Sequence, residues 1–195
     1  SYDCKCRVLE DNLDKIKGEK DMELIITVDE NDNIIGEEEK ERCHDNNGIL
    51  HRGFLAMVFD NSGKLLLTRR SDEKRLWPGF WDGTVASHVF KGEDYEQASK
   101  RRLMQEIGLT ADSVQYLFKF RYKTEYKDKG SEHEICAVTA VRGVDFDRLS
   151  PNRNEISDVR AIDPKALKEE LKQNGNSYTP WLKLAVEGMN ERQIV

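Results

Sequence analysis

The chain has 195 residues, of which 37% are hydrophobic, so it is long enough to bury one core but short for two. Its 31 basic and 37 acidic side chains give a formal charge of −6, which offers no overall attraction to nucleic acid or to an anionic membrane. The longest apolar runs are far shorter than the roughly 20 residues of a membrane helix, which excludes a helical span.

The predicted elements begin after a polar lead-in. Residues 1–20 lack clear periodicity, so we expect a flexible segment ahead of a single domain over residues 21–195. A strand over Met22–Val28 and an extended segment from Ile34 flank a turn-rich stretch and predict a β-hairpin. The apolar run at 50–60 and the alternating segment at 64–70 predict a second hairpin.

The rest of the chain mixes helices with strands. Residues 71–92 predict a loop with short strands, and a near-helical apolar spacing followed by Gly108 predicts a helix over 94–107. Strands are expected at 113–123 and 132–142. Asp163-Pro164 and Thr179-Pro180 each combine a capping residue with a first-turn proline, which predicts helices over 164–172 and from Trp181. This order predicts an α+β fold, a mixed β-sheet in an α/β/α sandwich.

The cysteines indicate the cellular setting. The four of them, Cys4, Cys6, Cys43 and Cys136, are too few and too irregularly spaced for a disulfide framework. The first residues contain neither a basic region nor an apolar stretch of the kind found in secretory signals. We therefore expect a cytoplasmic protein with reduced cysteines, either a monomer or a homodimer.

A set of histidines and acids could hold a metal. Three of the four histidines, His44, His51 and His88, lie in or beside predicted loops. Glu132 and Glu134 are two apart on a predicted strand, so both carboxylates project from one face. Imidazole and carboxylate together suit Zn²⁺, Mn²⁺ or Mg²⁺. Ordinary surface histidines and a solvated strand face explain the same pattern, so the pattern alone does not establish a metal site.

The segment from Ser87 to Leu109 resembles a Nudix box, G-x5-E-x7-R-E-U-x-E-E-x-G-U, where U is aliphatic. The residues that match at the proper spacing are Glu93, Arg101, Leu103, Glu106, Gly108 and Leu109. Ser87 replaces the first glycine, and Arg102 and Gln105 replace two glutamates. Because Nudix hydrolases use those glutamates to gather metal ions that activate water, we expect poor hydrolysis.

Further motifs resemble the type I isopentenyl diphosphate isomerases, a branch of the same superfamily. The matching segments are His44 and His51, Thr68-Arg69-Arg70, Lys74, Trp77-Pro78-Gly79-Phe80-Trp81, His88, Tyr122, Glu132-His133-Glu134-Ile135-Cys136 and Tyr178-Thr179-Pro180-Trp181. The resemblance extends from about residue 22 to 187 and implies a Nudix fold with a small prenyl diphosphate as substrate.

The resemblance also implies a role for each matching side chain. One divalent metal would be enclosed by His44, His51, His88, Glu132 and Glu134. A second ion, Mg²⁺, would be held by Glu106 and would also touch the diphosphate. The phosphates would be bound by Lys40, Arg70, Lys74 and Arg102, whose ammonium and guanidinium groups suit them. Taken singly, each of these bases is equally well explained as a solvated surface charge.

Isomerisation moves a double bond by protonating one carbon and deprotonating another, through a tertiary carbocation. Trp181 suits the stabilisation of that cation, because an aromatic face attracts positive charge by about 0.5–2 kcal/mol; it suits a core position equally well. Glu134, supported by Tyr122, would be one proton carrier. The family's second carrier is a cysteine two residues before the histidine, and Ala86 stands there. Losing such a group costs roughly 10²–10⁴-fold in rate.

The loop around Ala86 also departs from the family's pattern. Asp82-Gly83 stand where Thr-Asn is usual, and Val89 stands where proline is usual. These neighbours favour natural divergence over a single engineered change. Three functions stay open: an isomerase-like enzyme with weakened activity, a Nudix hydrolase acting on a nucleoside or prenyl diphosphate, and a non-catalytic diphosphate-binding protein.

Overall fold

The structure, a computed structural model, describes residues 23–195. The predictions for residues 1–20 and for Cys4 and Cys6 lie outside that range. The strands within it are β1 (Leu24–Val28), β2 (Ile34–Glu39), β3 (His51–Val58), β4 (Leu65–Arg70), β5 (Trp81–Asp82), β6 (Val85–His88), β7 (Gln115–Glu125), β8 (Ser131–Val141) and β9 (Ile156–Ile162). The α-helices in the same range are α1 (Lys40–Cys43), α2 (Tyr95–Ile107), α3 (Pro164–Asn174) and α4 (Pro180–Glu191). None of the helices in the described part of the chain is long and apolar enough to cross a membrane.

Helix α2 forms where capping residues close both of its ends. Asp94 accepts a hydrogen bond from the Gln97 backbone N–H at 2.8 Å, and the Gln97 side chain accepts one from the Asp94 N–H at 2.9 Å. Gly108 ends the helix with a φ of 68°, a left-handed conformation that glycine adopts without strain. The helix predicted at 94–107 is therefore confirmed with a start one residue later.

The strands form two sheets. The larger has the order β2-β1-β3-β8-β7, with β6 also paired to β3, and only the pairing of β3 with β8 is parallel. The smaller has the order β5-β4-β9 and is antiparallel. Apolar side chains fill both faces of the central strands: α2 packs on one face, and the small sheet with α3 and α4 packs on the other. The predicted mixed-sheet α/β/α sandwich is confirmed.

Two local predictions differ from the structure. The second hairpin is wrong: a single bridge joins Phe59 to Leu65, and β3 and β4 then enter different sheets. Strand β3 already has partners along both of its edges, so no edge is free for β4. Strand β9 was not predicted, because only its end residues, Ile156 and Ile162, are buried and its interior is mostly polar.

Gly188, in α4, provides a test of the packing between this helix and the large sheet. A Cβ at this position would lie 2.7 Å from Phe118 Cε2, so the usual helix-stabilising effect of Gly→Ala should be reversed. We expect Gly188→Ala to lower the free energy of unfolding in urea by about 1–3 kcal/mol. Gly175→Ala is the control, because its Cβ would make only ordinary contacts at 3.6 Å with Lys183. A more stable Gly188→Ala variant would contradict this packing.

Candidate metal centre and adjoining cavity

The pairing of β3 with its neighbours gathers polar side chains at one end of the large sheet. On one side of β3, His51 pairs with Glu134 and Gly53 pairs with Cys136 in β8. On the other side, Gly53 pairs with His88 at the end of β6. Paired residues in adjacent strands point to the same face, so these side chains share one surface.

Three histidines and two glutamates of the sequence-based metal set meet on this surface and are all buried. The three imidazole centroids are 4.9–5.0 Å apart. Glu132 Oε2 lies 3.0 Å from His44 Nε2, and Glu134 Oε1 lies 3.4 Å from His51 Nε2 and 3.3 Å from His88 Nε2. One ligand atom from each histidine and from Glu132 lies within 4.8 Å of all the others. The structure thus brings this set together, from four separate segments.

Hydrogen bonds behind the imidazoles aim their other nitrogens at the shared point. The Nδ1 atoms of His44 and His51 lie 2.5 Å from the Lys40 carbonyl and 2.7 Å from the Ile49 carbonyl, so Nδ1 carries the proton and donates. Within the described residues, His51 Nε2 and Glu132 Oε2 are buried and form no hydrogen bond, although Glu134 and His44 lie within ion-pair distance of them. Buried polar atoms in proteins rarely lack a partner, and N/O donors converging in this way fit a divalent cation.

The charges in the cluster are strongly coupled. Burial disfavours the charged imidazole of His44, but the Glu132 carboxylate outweighs burial and raises the pKa of His44 to about 9. Burial lowers the pKa of His88 well below its usual value. For Glu134, burial is opposed by His51 and His88, which hold its pKa below the usual range. The two carboxylates thus favour positive charge at His44, while burial disfavours it at His88.

Sequence analysis did not identify Gly53 as part of the site. A Cβ at this position would overlap the Glu134 carboxylate, so only glycine leaves room for that side chain over β3. A glycine inside a buried strand often marks such a close approach, and this signal was present in the sequence two residues after His51.

A cavity of about 450 Å³ opens beside the cluster. Four residues of the metal set lie in its wall, together with Ala86: His44, His88, Glu132 and Glu134. The four bases predicted to bind phosphate also line it: Lys40, Arg70, Lys74 and Arg102. Trp181 and Tyr122 complete its aromatic side. All the residues that sequence analysis linked to substrate thus surround one space, although Glu106 lies just behind the wall, against Arg102.

Carboxylates that the sequence did not single out accompany the bases. Lys40 Nζ lies 2.7 Å from Glu23 Oε2. Lys74 pairs with Glu155, and Arg102 Nη2 lies 3.7 Å from the same side chain. Arg102 also pairs with Glu106, while its buried Nε has no hydrogen-bond partner among residues 23–195. Glu155 precedes the strand that was not predicted, and it belongs to no motif that could have identified it.

Asp82 fixes the aromatic side of the cavity. This carboxylate accepts hydrogen bonds from the Trp181 indole N–H at 2.8 Å and from the Thr179 hydroxyl at 3.0 Å. It also accepts from the Gly83 backbone N–H at 2.7 Å and from Arg70 Nη1 at 3.3 Å. Asp82 stands where the isomerase pattern has a different residue, and its carboxylate connects β5 to the start of α4.

Arg70 is largely occupied by these structural contacts. Its Nε and Nη2 donate to the carbonyls of Trp77 and Leu76 at 3.1 Å and 2.9 Å. Its guanidinium carbon lies 5.3 Å from the centroid of a Trp181 ring. Among the four bases, Lys74, Lys40 and Arg102 therefore have more freedom to meet a ligand than Arg70 has.

Tyr122 reaches the metal cluster from β7. It is the strand partner of Glu134, and its hydroxyl donates to Glu134 Oε2 at 2.8 Å. Burial and the adjacent carboxylate raise the pKa of Tyr122 well above its usual value, so it keeps its proton. Glu134 thereby faces two imidazoles with one oxygen and a phenol with the other.

Glu93 and Arg101, which match the Nudix box, have a structural role. Glu93 accepts hydrogen bonds from Arg101 Nε at 2.6 Å and from the Phe90 backbone N–H at 3.0 Å. Arg101 also donates to the His88 carbonyl at 3.1 Å. The pair thus braces the loop after β6 against α2, and Glu93 is already fully engaged.

Comparison with known proteins decides the family. The family model described as "NUDIX domain" matches residues 49–182. The chain belongs to the Nudix family. Within this family, it is 36% identical over 165 residues to isopentenyl-diphosphate Delta-isomerase 1 of Photorhabdus laumondii, covering 83% of this chain and 92% of that one. It is 34% identical over 172 residues to isopentenyl-diphosphate Delta-isomerase of Halobacterium salinarum, covering 83% and 78%. It therefore belongs to the isopentenyl-diphosphate isomerase branch, as its motifs predicted, and this confirms the expectation of an enzyme.

Solved Nudix structures share the fold. DR0079 from Deinococcus radiodurans superimposes with a TM-score of 0.69 at 23% identity, covering 85% of this chain and 98% of that one. The MutT protein from Methanosarcina mazei gives a TM-score of 0.58 at 17% identity, covering 74% and 95%. At these identities the likeness shows the architecture alone.

The network around Asp82 can be tested by stability. Asp82→Ala would leave buried donors of Trp181, Thr179 and Arg70 without an acceptor, so we expect the free energy of unfolding to fall by about 2–4 kcal/mol. Asp158→Ala is the control, because Asp158 is exposed and accepts only from its neighbour's N–H at 2.8 Å. Equal unfolding midpoints for the two variants in urea would show that Asp82 does not hold the network.

Proposed function

We propose that this isopentenyl-diphosphate isomerase-like Nudix protein binds a divalent cation at the His/Glu cluster and a short prenyl diphosphate in the adjoining cavity. The observation that carries the proposal is the shared space: the cluster, four basic side chains and an aromatic wall surround one cavity. Isopentenyl diphosphate, which the names of its relatives give, combines a strongly anionic end with a small apolar end. That chemistry suits this lining.

The metal would be Zn²⁺, Mn²⁺ or Mg²⁺, held by His44, His51, His88, Glu132 and Glu134. A cation of this kind supplies positive charge that keeps the carboxylates ionised and fixed in place. Support comes from the two buried atoms without partners and from the carbonyls that orient the imidazoles. Glu106 would hold a separate Mg²⁺ that accompanies the diphosphate.

The phosphate end of the ligand would lie among Lys40, Lys74 and Arg102. Arg102 is the best supported of these, because its buried Nε has no partner and its planar group can donate more than one hydrogen bond. Arg70 would contribute positive charge from the cavity wall, while its N–H groups stay bonded to the carbonyls of Leu76 and Trp77. A local cluster of bases explains how a chain with a formal charge of −6 can bind an anion.

The apolar end would lie against Trp181 and next to Glu134. The indole face would stabilise positive charge on the substrate's carbon, and its N–H bond to Asp82 holds the ring in place. Glu134, with the Tyr122 phenol donating to it, would carry one proton. Position 86 lies in the cavity wall but provides only a methyl group. We therefore propose that isomerisation is slow in this chain for lack of the second proton carrier.

Hydrolysis has weaker support. It would need carboxylates free to activate water, and Glu93 is paired with Arg101. Arg102 and Gln105 replace two other acids of the box, and Glu106 is paired with Arg102. Incubation with isopentenyl diphosphate in D₂O distinguishes isomerisation, hydrolysis and binding without catalysis.

Incubation with isopentenyl diphosphate and Mg²⁺ in D₂O tests the reaction. We expect slow entry of deuterium into the carbon skeleton, measured by NMR, and no release of phosphate. Ala86→Cys should speed the exchange by about 10²–10⁴-fold, because it restores a proton carrier. Ala86→Ser, which adds a similar group without the thiol, is the control. Phosphate release would favour the hydrolase, and no gain with Ala86→Cys despite substrate binding would overturn the isomerase proposal.

Metal content tests the His/Glu cluster separately from activity. We expect His88→Ala to lose bound divalent metal, measured by elemental analysis after dialysis against a fixed metal concentration, because it removes one of the converging nitrogens. His133→Ala is a closely matched control: it lies between Glu132 and Glu134 in sequence but on the other face of β8, near the Gly48 carbonyl at 3.4 Å. Equal metal content in both variants would refute the assignment.

We also propose a cytoplasmic setting for the protein. Support comes from Cys43 and Cys136, which are both free thiols and both buried. A single domain over residues 21–195 and a monomeric or homodimeric state remain predictions from the sequence.

A further inference from the structure

The phosphate-binding end of the cavity already contains an anion from the chain itself. Glu155 pairs with Lys74 through one carboxylate oxygen, and its other oxygen lies 3.7 Å from Arg102 Nη2. All three side chains line the cavity. In the proposed function, Lys74 and Arg102 are the groups that receive the ligand's phosphate. The carboxylate thus occupies the place where a phosphate would form the same two ion pairs.

The backbone of Glu155 is fixed, but its carboxylate is not enclosed. Its N–H donates to the Asn152 carbonyl at 3.0 Å, and its own carbonyl accepts from the Ser71 N–H at 3.0 Å. The side chain is 27% exposed. Rotation about side-chain bonds would therefore carry the carboxylate into water without disturbing the main chain. An ion pair exposed to this degree is worth little more than the hydration it replaces, so it can exchange.

From this geometry, and resting on the proposed function, we propose that Glu155 is an internal competitor for the phosphate site formed by Lys74 and Arg102. An incoming phosphate must displace the carboxylate and exchange one pair of ionic contacts for another. This exchange of ionic contacts changes the binding free energy little. Tight binding therefore depends on contacts that Glu155 does not make, such as one with Arg102 Nε, which has no hydrogen-bond partner in the described part of the chain. Glu155 thereby lowers the affinity of the site for simple anions. Only a phosphate ligand that makes additional contacts binds tightly.

A different role for Glu155 predicts the opposite sign. If this carboxylate instead helped a cation bind together with the phosphates, its removal would weaken binding. If it affected the site only through long-range charge, any nearby acid would have the same effect. Glu73 is the matched control for the second case, because it lines the same cavity, is exposed and forms no ion pair in the described part of the chain.

Calorimetric titration with inorganic pyrophosphate, with and without Mg²⁺, tests the inference. We expect Glu155→Gln to bind pyrophosphate about threefold to fivefold more tightly than the original chain in both conditions, the effect of removing a weak competing ion pair. Glu155→Ala should show the same direction, and Glu73→Gln should change the affinity less than about twofold. Unfolding midpoints check that each variant is folded.

The outcomes separate the inference from the function on which it rests. Unchanged or weaker binding by both Glu155 variants, or an equal gain with Glu73→Gln, would overturn the competitor role while leaving phosphate binding intact. Failure of the original chain and of every variant to bind pyrophosphate or isopentenyl diphosphate would overturn the proposed function together with this inference.

Discussion

The parallel pairing of β3 with β8 is the constraint on which the site depends. It sets His51 beside Glu134 and Gly53 beside Cys136, and the same stretch of β3 also pairs with β6 to bring in His88. Because side chains alternate between the faces of a strand, a shift of one residue in either pairing would send these groups into the opposite core. The buried apolar residues on both faces of β3 and β8 hold the register in place.

The site also depends on the balance of charge between its acidic and basic side chains. The two carboxylates of the His/Glu cluster keep the pKa of His44 raised, whereas the adjoining cavity places bases beside acids from other parts of the chain. Acidic and basic side chains are therefore neighbours in both the cluster and the cavity. A metal diphosphate, which carries both signs itself, complements such a surface better than either a bare cation or a bare anion.

Sequence analysis located the residues of the candidate site better than the contacts that surround them. The metal set and the bases could be found because motif spacing identifies residues even when the strands that carry them are only approximately placed. Gly53, Asp82 and Glu155 were not assigned roles, because each acts through a contact with a residue distant in sequence. The same reason explains strand β9: its place beside β4 depends on pairing, and its own pattern of burial is weak.

The ion pair of Glu93 with Arg101 shows a structural use for two side chains of a motif known for metal-dependent hydrolysis. In this chain the pair stands on a helix and a loop, and Arg101 also supports the carbonyl of His88. These two positions of the box therefore hold the loop after β6 against α2, while Arg102 and Gln105 stand where the usual box has glutamates. A motif can thus be recognisable in a sequence through residues that stabilise a loop as well as through residues that perform chemistry.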